Sequence, residues 1–390
     1  MSLSTAPLSS APPAASTARI PSIDALRGLV ILLMLVDHAR EFFFIHAQVP
    51  DPMDVATTSP ALFFTRLAAH LCAPVFVALT GLGAWLYASK KGGASAASGF
   101  LFKRGLFLVF LELTVVNFAW NFDVLPPTIF LQVIWAIGLS MIVLSALVWL
   151  PRPVLIAVGL IIVLGHNLLT PITIPEGQPG HAIWAVLHDR GFIQMPWGGQ
   201  VRTSYPLLPW IGIAALGYAI GPWFKAPAAR RLRDLTILGL SMLALFAVLR
   251  AINIYGEPLP WSVWPTPLQT VMSVFNLTKY PPSADFILLT LGVGTLLLAA
   301  FEVIWPRLIR LLAVYGGAPL FFYLIHLYGL HLAARACLAI FGANQGEVFG
   351  VPNVGWVWAI AVLAAIPSWF ACRWFAGVKR RSGQWWMKYL

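Results

Sequence analysis

Ten stretches of this chain approach the ~20 apolar residues that a helix needs to cross a bilayer. They run over about 25–46, 62–88, 100–120, 128–150, 153–169, 204–224, 232–252, 284–304, 316–341 and 355–376, the fifth being the shortest. Soluble domains carry roughly 25% charged residues. Here 10% of 390 residues are charged, 59% are hydrophobic and the mean hydropathy is +0.81. Lipid accepts such a surface and water does not. The chain is therefore expected to be an all-α integral membrane protein, a polytopic bundle of about ten transmembrane helices in a lipid bilayer.

Charge gives the bundle an orientation. With the N-terminus inside, the cytoplasmic segments hold Arg19, Lys90, Lys91, Lys103, Arg104, Arg152, Lys225, Arg230, Arg231, Arg233, Arg307, Arg310, Arg373, Lys379, Arg380, Arg381 and Lys388, which is 17 of the 25 basic residues. Outer loops 47–61, 121–127 and 342–354 hold none. This asymmetry predicts both termini in the cytoplasm. It also accounts for the net charge of +11 without a nucleic-acid partner. Residues 1–20 are rich in Ser, Ala, Pro and Thr and lack the basic start of a secretory signal, so they read as a disordered tail. Residues 21–378 form one transmembrane domain, and 379–390 a basic cytoplasmic tail. Cys72, Cys337 and Cys372 sit in apolar surroundings without paired spacing, which predicts neither a disulfide framework nor a metal site.

Polar side chains inside the spans carry the functional signal. In the first span Asp24, Arg27, Ile31, Met34, His38 and Glu41 are spaced by three or four residues and share one helical stripe. A lipid-facing charge near the bilayer centre costs at least ~2.5–3.5 kcal/mol, so the stripe should face protein or a water-filled cavity. Asp24 and Arg27 can also form an anchoring i,i+3 pair. His38 lies about 15 Å beyond Gly28, near the midplane, with Asp37 and Glu41 beside it. Arg66 and His70 share a face of the second span, and His46 ends the first. In the ninth span Tyr323 and His326 pair at i,i+3, followed by Tyr328, His331 and Arg335. Glu112, Asn117 and Gln132 add polar groups to the third and fourth spans. A transporter or flippase for a sugar or lipid-linked substrate and an intramembrane enzyme both need such an interior. No internal repeat is visible, which favours the enzyme.

The segments PSIDALRGLVILLMLVDHAREFF and LFFTRLAAHLCAPVFVALTGLGAWL resemble the bacterial heparan-α-glucosaminide N-acetyltransferase-like family. FLFKRGLFLVFLELTVVNFAW, FLQVIWAIGLSMI, SYPLLPWIGIAALGYAIG, NLTKYPPSADFILLTLG and PLFFYLIHLYGLHL are similar to its later blocks, in order, over residues 19–335. The resemblance implies a transmembrane acyltransferase of a bacterial inner membrane that moves acetyl from acetyl-CoA to an amino-sugar or related glycan. Oligomeric state stays open.

Acyl transfer requires a base and an oxyanion donor. The candidate bases are His38, His70 and His46, in that order. In the eukaryotic enzymes an Asn stands at the position of His38, and a functional His follows in an aromatic-His-Ala setting like that of His46. Asp37 or Glu41 could fix the imidazole tautomer. Asp24, Arg27, Lys103, Arg104, Lys279 and Tyr280 are the candidates for the CoA donor. Arg66, Tyr205, Trp210, Asn276, His326 and His331 are those for the acceptor. No metal is expected.

The orientation has a direct check. A membrane-impermeant thiol reagent applied from outside should label cysteines engineered into 170–203 and 253–283 but not into 89–99 or 379–390. Labelling of 89–99 would invert the topology.

Overall fold

The computed structural model describes residues 20–44, 52–196 and 198–382, with Gln384 and Met387. In chain order the helices are α1 (Pro21–Phe43), α2 (Pro60–Ala69), α3 (Cys72–Lys91) and α4 (Ala94–Leu111), which continues through a π turn (Glu112–Val116) into α5 (Asn117–Asn121). Then come strand β1 (Thr128–Leu131), α6 (Val133–Leu147), α7 (Arg152–Gly165), α8 (His181–Leu187), strands β2 (Phe192–Gln194) and β3 (Gln200–Thr203), and α9 (Leu208–Ala219). The C-terminal half holds α10 (Ala228–Ile252), α11 (Pro267–Phe275), α12 (Ala284–Ala300), α13 (Pro306–Gly316), α14 (Pro319–Phe341) and α15 (Val354–Arg381).

Each apolar stretch marked in the sequence is largely helical over its described residues. Among the described residues, five helical segments are long and apolar enough to cross a membrane: 60–91, 152–169, 228–252, 319–341 and 354–381. Helices α6 and α12 are apolar but shorter. Helix α1 has the length and fails on charge, because Asp24, Arg27, Asp37, Arg40 and Glu41 all lie in it. Large apolar side chains cover the outside, among them Ile237, Leu240 and Val248 of α10 and Leu363, Phe370 and Trp374 of α15. Polar side chains such as Arg40, His70, Glu112, Asn117 and His326 are buried. Apolar outside and polar within is the arrangement that lipid imposes. The protein is an integral membrane protein.

Three features depart from the sequence reading. Residues 128–131, expected inside the fourth span, form β1, which pairs in parallel with β3 while β2 pairs antiparallel. Asn117 enforces this, because Phe130 N donates to its Oδ1 (2.9 Å) and its Nδ2 donates to the Phe130 carbonyl (3.0 Å). The connection expected at 305–315 is instead the amphipathic helix α13. It buries Ile309, Leu312 and Tyr315 against the bundle and leaves Arg307 and Arg310 exposed. Helix α15 runs to Arg381, so Lys379 belongs to a helix rather than a tail. Residues 1–19, the bulk of the expected N-terminal tail, lie outside the described residues.

The long connections between α7 and α9 and between α10 and α12 are folded. His181 donates from one ring nitrogen to the Ile174 carbonyl (2.7 Å) and from the other to that of Phe192 (2.9 Å), which raises its pKa above the usual value. Buried Arg250 donates to the carbonyls of Ser273 (2.9 Å) and Val274 (2.8 Å), and Glu257 accepts from Thr278 N (2.9 Å) and Ser283 Oγ (2.6 Å). Those two side chains fix the loop that carries Lys279.

Helices α1 and α13 meet where both lack a side chain. A Cβ at Gly28 would overlap the Leu312 carbonyl, and one at Gly316 would overlap that of Asp24. The paired positions make the two helices antiparallel, in the small-residue contact common between membrane helices. Gly28→Ala should therefore lower thermal stability by roughly 1–3 kcal/mol. Gly99→Ala, where a Cβ meets nothing within 4 Å, should be neutral or slightly stabilising in the same melting assay.

Candidate functional site

Helices α1, α3, α4, α6 and α14 enclose a cavity of about 1000 Å³. Its lining changes character along its length. One end is basic and aromatic, with Arg27, Tyr87, Lys90, Phe100, Arg104, Lys225 and Lys379. Lys90 and Lys225 are exposed, so this end opens to solvent. Tyr87 and Phe100 stack there with centroids 4.5 Å apart, and the Arg104 guanidinium lies 5.8 Å from the Phe100 centroid. Met34, Leu108, Ile134, Ile137 and Met141 line an apolar middle. The other end holds Asp37, His38, Tyr205, Lys279 and Tyr323. From Arg27 to His38 is eleven residues of α1, about 16 Å.

His38 has an aromatic and imidazole setting. Its ring meets Trp120 edge-on at 5.2 Å and Tyr323 at 6.0 Å, and lies nearly parallel to His326 at 4.9 Å. The π turn puts Trp120 there, because one extra residue in the helix rotates the face that α5 presents. Glu112, at the start of that turn, accepts from Trp135 N (3.1 Å) at the N-terminus of α6, where the exposed amides of a helix favour a carboxylate.

The hydrogen bonds fix the protons of the histidine pair. His326 Nδ1 lies 2.8 Å from the Phe322 carbonyl, which can only accept, so that nitrogen donates. With the ring neutral, His326 Nε2 carries a lone pair, and it lies 2.7 Å from His38 Nδ1. His38 therefore donates from Nδ1 and keeps its own lone pair on Nε2. A proton gained at that Nε2 leaves the His38–His326 hydrogen bond intact.

Asp37 does not orient His38, as the sequence alone allowed. Its carboxylate is taken up by Arg40 Nε (3.2 Å) and by a short contact with Arg66 Nη1. Glu41 pairs with Arg40 Nη2 and does not reach the cavity lining. Asp37, Arg40 and Glu41, within about one turn of α1, and Arg66 form one ion cluster, with Arg40 only 2% exposed. Asp24 and Arg27 make the i,i+3 pair (3.1 Å), and Arg27 also donates to the Leu79 carbonyl (3.3 Å), yet both still line the cavity.

Other candidates fall elsewhere. His70 is 1% exposed and packs on Phe286; it is not part of the lining, although its neighbours Ala69, Cys72 and Ala73 are. His46 lies outside the described residues. Lys103 is exposed and not part of the lining, whereas its neighbour Arg104 is. Lys279 is at the His38 end rather than with the basic mouth. Tyr280 lies behind Tyr205 (hydroxyl to hydroxyl 3.3 Å), with the Arg190 guanidinium 4.9 Å from its centroid. Trp210 is fully buried core. Asn276 contributes its carbonyl to Arg250 (3.3 Å). His331 donates to the Ala119 carbonyl (2.7 Å) and stacks on Phe122, which fastens α14 to α5. His326, expected at the acceptor, is instead the partner of His38. Lys90, Lys225 and Lys379 were legible only as orientation charges. Tyr87 and Phe100 carried no signal, because an aromatic residue in an apolar helix usually means packing.

A bundle with an apolar exterior and one polar chamber reaching solvent is a membrane protein built to act on a molecule inside it. The family model described as heparan-alpha-glucosaminide N-acetyltransferase, catalytic, matches residues 19–255, more than half of the chain. The chain belongs to this family and is an acetyltransferase-type enzyme. No curated protein matches it. The matched region covers α1 to α10, so Lys279, Tyr323 and His326 reach the chamber from helices and loops beyond it.

Removing the Asp37 charge should cost stability because two arginines share it. Asp37→Asn is expected to lower unfolding free energy by on the order of 3 kcal/mol, measured by thermal melting in detergent. An unchanged melting point would mean that the cluster is not a structural unit.

Proposed function

We propose that the protein transfers acetyl from acetyl-CoA, entering from the cytoplasmic side, to an amino-sugar or related glycan acceptor, with His38 as the base. The observation that carries this reading is a single cavity with a basic mouth at one end and an imidazole lone pair at the other. The basic-residue asymmetry supports ten spans with both termini inside, and the resemblance supports a bacterial inner membrane. The family places acetyl transfer ahead of the transporter or flippase reading.

Arg104, Lys90, Lys225 and Lys379 are suited to the phosphates, which cations bind as point charges or bidentate forks. The Tyr87–Phe100 pair offers a face on which adenine can stack. The apolar middle suits an extended pantetheine arm, which brings the thioester to His38. The acceptor nitrogen attacks the thioester carbonyl carbon, and the carbonyl π electrons move onto oxygen. His38 Nε2 takes the proton that the nitrogen loses. Collapse of the tetrahedral centre breaks the carbon–sulfur bond, and the proton leaves with the thiol as CoA-SH. An oxygen acceptor follows the same course. His326 acts through His38: its Nε2 accepts from Nδ1 throughout and holds the imidazolium in place, as an orienting partner does in other base-assisted acyl transfers.

Calorimetry in detergent should show acetyl-CoA binding that weakens with salt, since surface cations are screened. His38→Ala should cut turnover by on the order of 10²–10⁴ while leaving folding and acetyl-CoA binding intact, and His70→Ala should keep near-normal turnover. Near-normal turnover in His38→Ala beside a folded, inactive His46→Ala would move the base to His46. Absence of binding by any CoA species would remove the reading itself.

A further inference from the structure

Tyr323 stands out among the buried polar groups. Its ring is held edge-on against both His38 and His326, with centroids 6.0 and 5.7 Å away, and the residue is 3% exposed while lining the cavity. Its hydroxyl has no hydrogen-bond partner among the described residues. A buried hydroxyl left unpaired costs free energy, so a structural role would have given it an acceptor. The Trp120 indole nitrogen is buried beside it and is the group that approaches the phenolic oxygen. An indole N–H can only donate. Any approach of Trp120 to the Tyr323 oxygen therefore leaves the phenolic proton free.

Of the other polar groups at this end, Tyr205 accepts from Tyr280 (3.3 Å) and keeps a proton to give. Its ring, however, packs on Trp210 and Tyr280 rather than on the histidine pair. The rest are committed or of the wrong type. Asp37 is held by Arg40 and Arg66 and can only accept. His38 keeps a lone pair, and His326 spends both nitrogens. The proposed transfer creates negative charge on the thioester oxygen and needs a donor placed beside the base. Lys279 can add charge from the same end of the cavity, but a mobile ammonium does not define a direction. The phenol, fixed by two ring contacts, does.

We propose that the Tyr323 hydroxyl is the oxyanion donor, hydrogen-bonding the acetyl carbonyl oxygen as His38 takes the acceptor proton. This rests on the acetyl-transfer reading above. Tyr323 keeps its proton throughout: the oxygen becomes negative on attack, accepts a stronger hydrogen bond, and returns to a carbonyl when the thiol leaves.

Tyr323→Phe tests it with the ring packing retained. Turnover should fall by roughly 10²–10³, as when one oxyanion donor is removed, with acetyl-CoA affinity changed by no more than about threefold. The melting temperature should hold or rise, because an unpaired buried hydroxyl is deleted. With acetyl-CoA labelled by carbon-13 at the thioester carbonyl, infrared difference spectra should show that band at lower frequency when bound to the wild-type protein, and the shift should shrink in Tyr323→Phe. A wild-type protein that binds and turns over acetyl-CoA, beside a variant with the same turnover and the same band, overturns the assignment of Tyr323 alone. A marked loss of melting temperature in the variant overturns it too, since the hydroxyl would then have a structural partner. Failure of the wild-type protein to bind acetyl-CoA overturns both the proposal and the reading beneath it.

Discussion

Lipid makes α1 impossible as an isolated helix. It carries Asp24, Arg27, Asp37, Arg40 and Glu41, and each would cost at least ~2.5–3.5 kcal/mol facing hydrocarbon at the bilayer centre. The fold answers by pairing and enclosure. Asp24 meets Arg27, Asp37 sits between Arg40 and Arg66, and Arg40 reaches on to Glu41. Helices α3, α12, α13, α14 and α15 surround α1. Glycines at 28 and 316 let α13 come close enough to cover it. The charges that look like machinery from the sequence are largely the means by which α1 stays in the membrane.

Once α1 is enclosed, the cavity beside it acquires two unlike ends. The mouth gathers cations from five separate segments, namely Arg27, Lys90, Arg104, Lys225 and Lys379. The deep end gathers groups that hold or give a proton. An apolar stretch separates them, so the positive potential of the mouth and the histidine pair occupy different parts of one cavity. The His38–His326 hydrogen bond joins the first helix to one near the C-terminus, 288 residues away in sequence. The histidine pair therefore exists only when the whole bundle has assembled.

That explains why the family match and the site do not coincide. The matched region, residues 19–255, includes α1 and the basic mouth of α3 and α4. Lys279, Tyr323 and His326 come from outside it. Arg250 and Glu257 connect the two parts by fixing the loop that ends at α12, with buried hydrogen bonds that leave that loop little freedom.

Sequence alone determined the solvent. Apolar runs of bilayer length settle a helical membrane protein, because lipid forces the backbone to satisfy itself within each segment. It also singled out His38, since an imidazole stands out against an apolar run. What sequence could not determine was which polar group meets which. Helical periodicity placed Asp37 and Glu41 beside His38, but neighbours on one helix point along it or away from each other. Tertiary packing gave Asp37 to Arg66 and His38 to His326. It also turned Lys90, Lys225 and Lys379 from orientation charges into cavity lining, and it left the Tyr323 hydroxyl without an acceptor among the described residues. Burial in lipid is a property of composition and can be read one segment at a time. A hydrogen bond is a property of distance and angle between segments, and only the assembled bundle sets those.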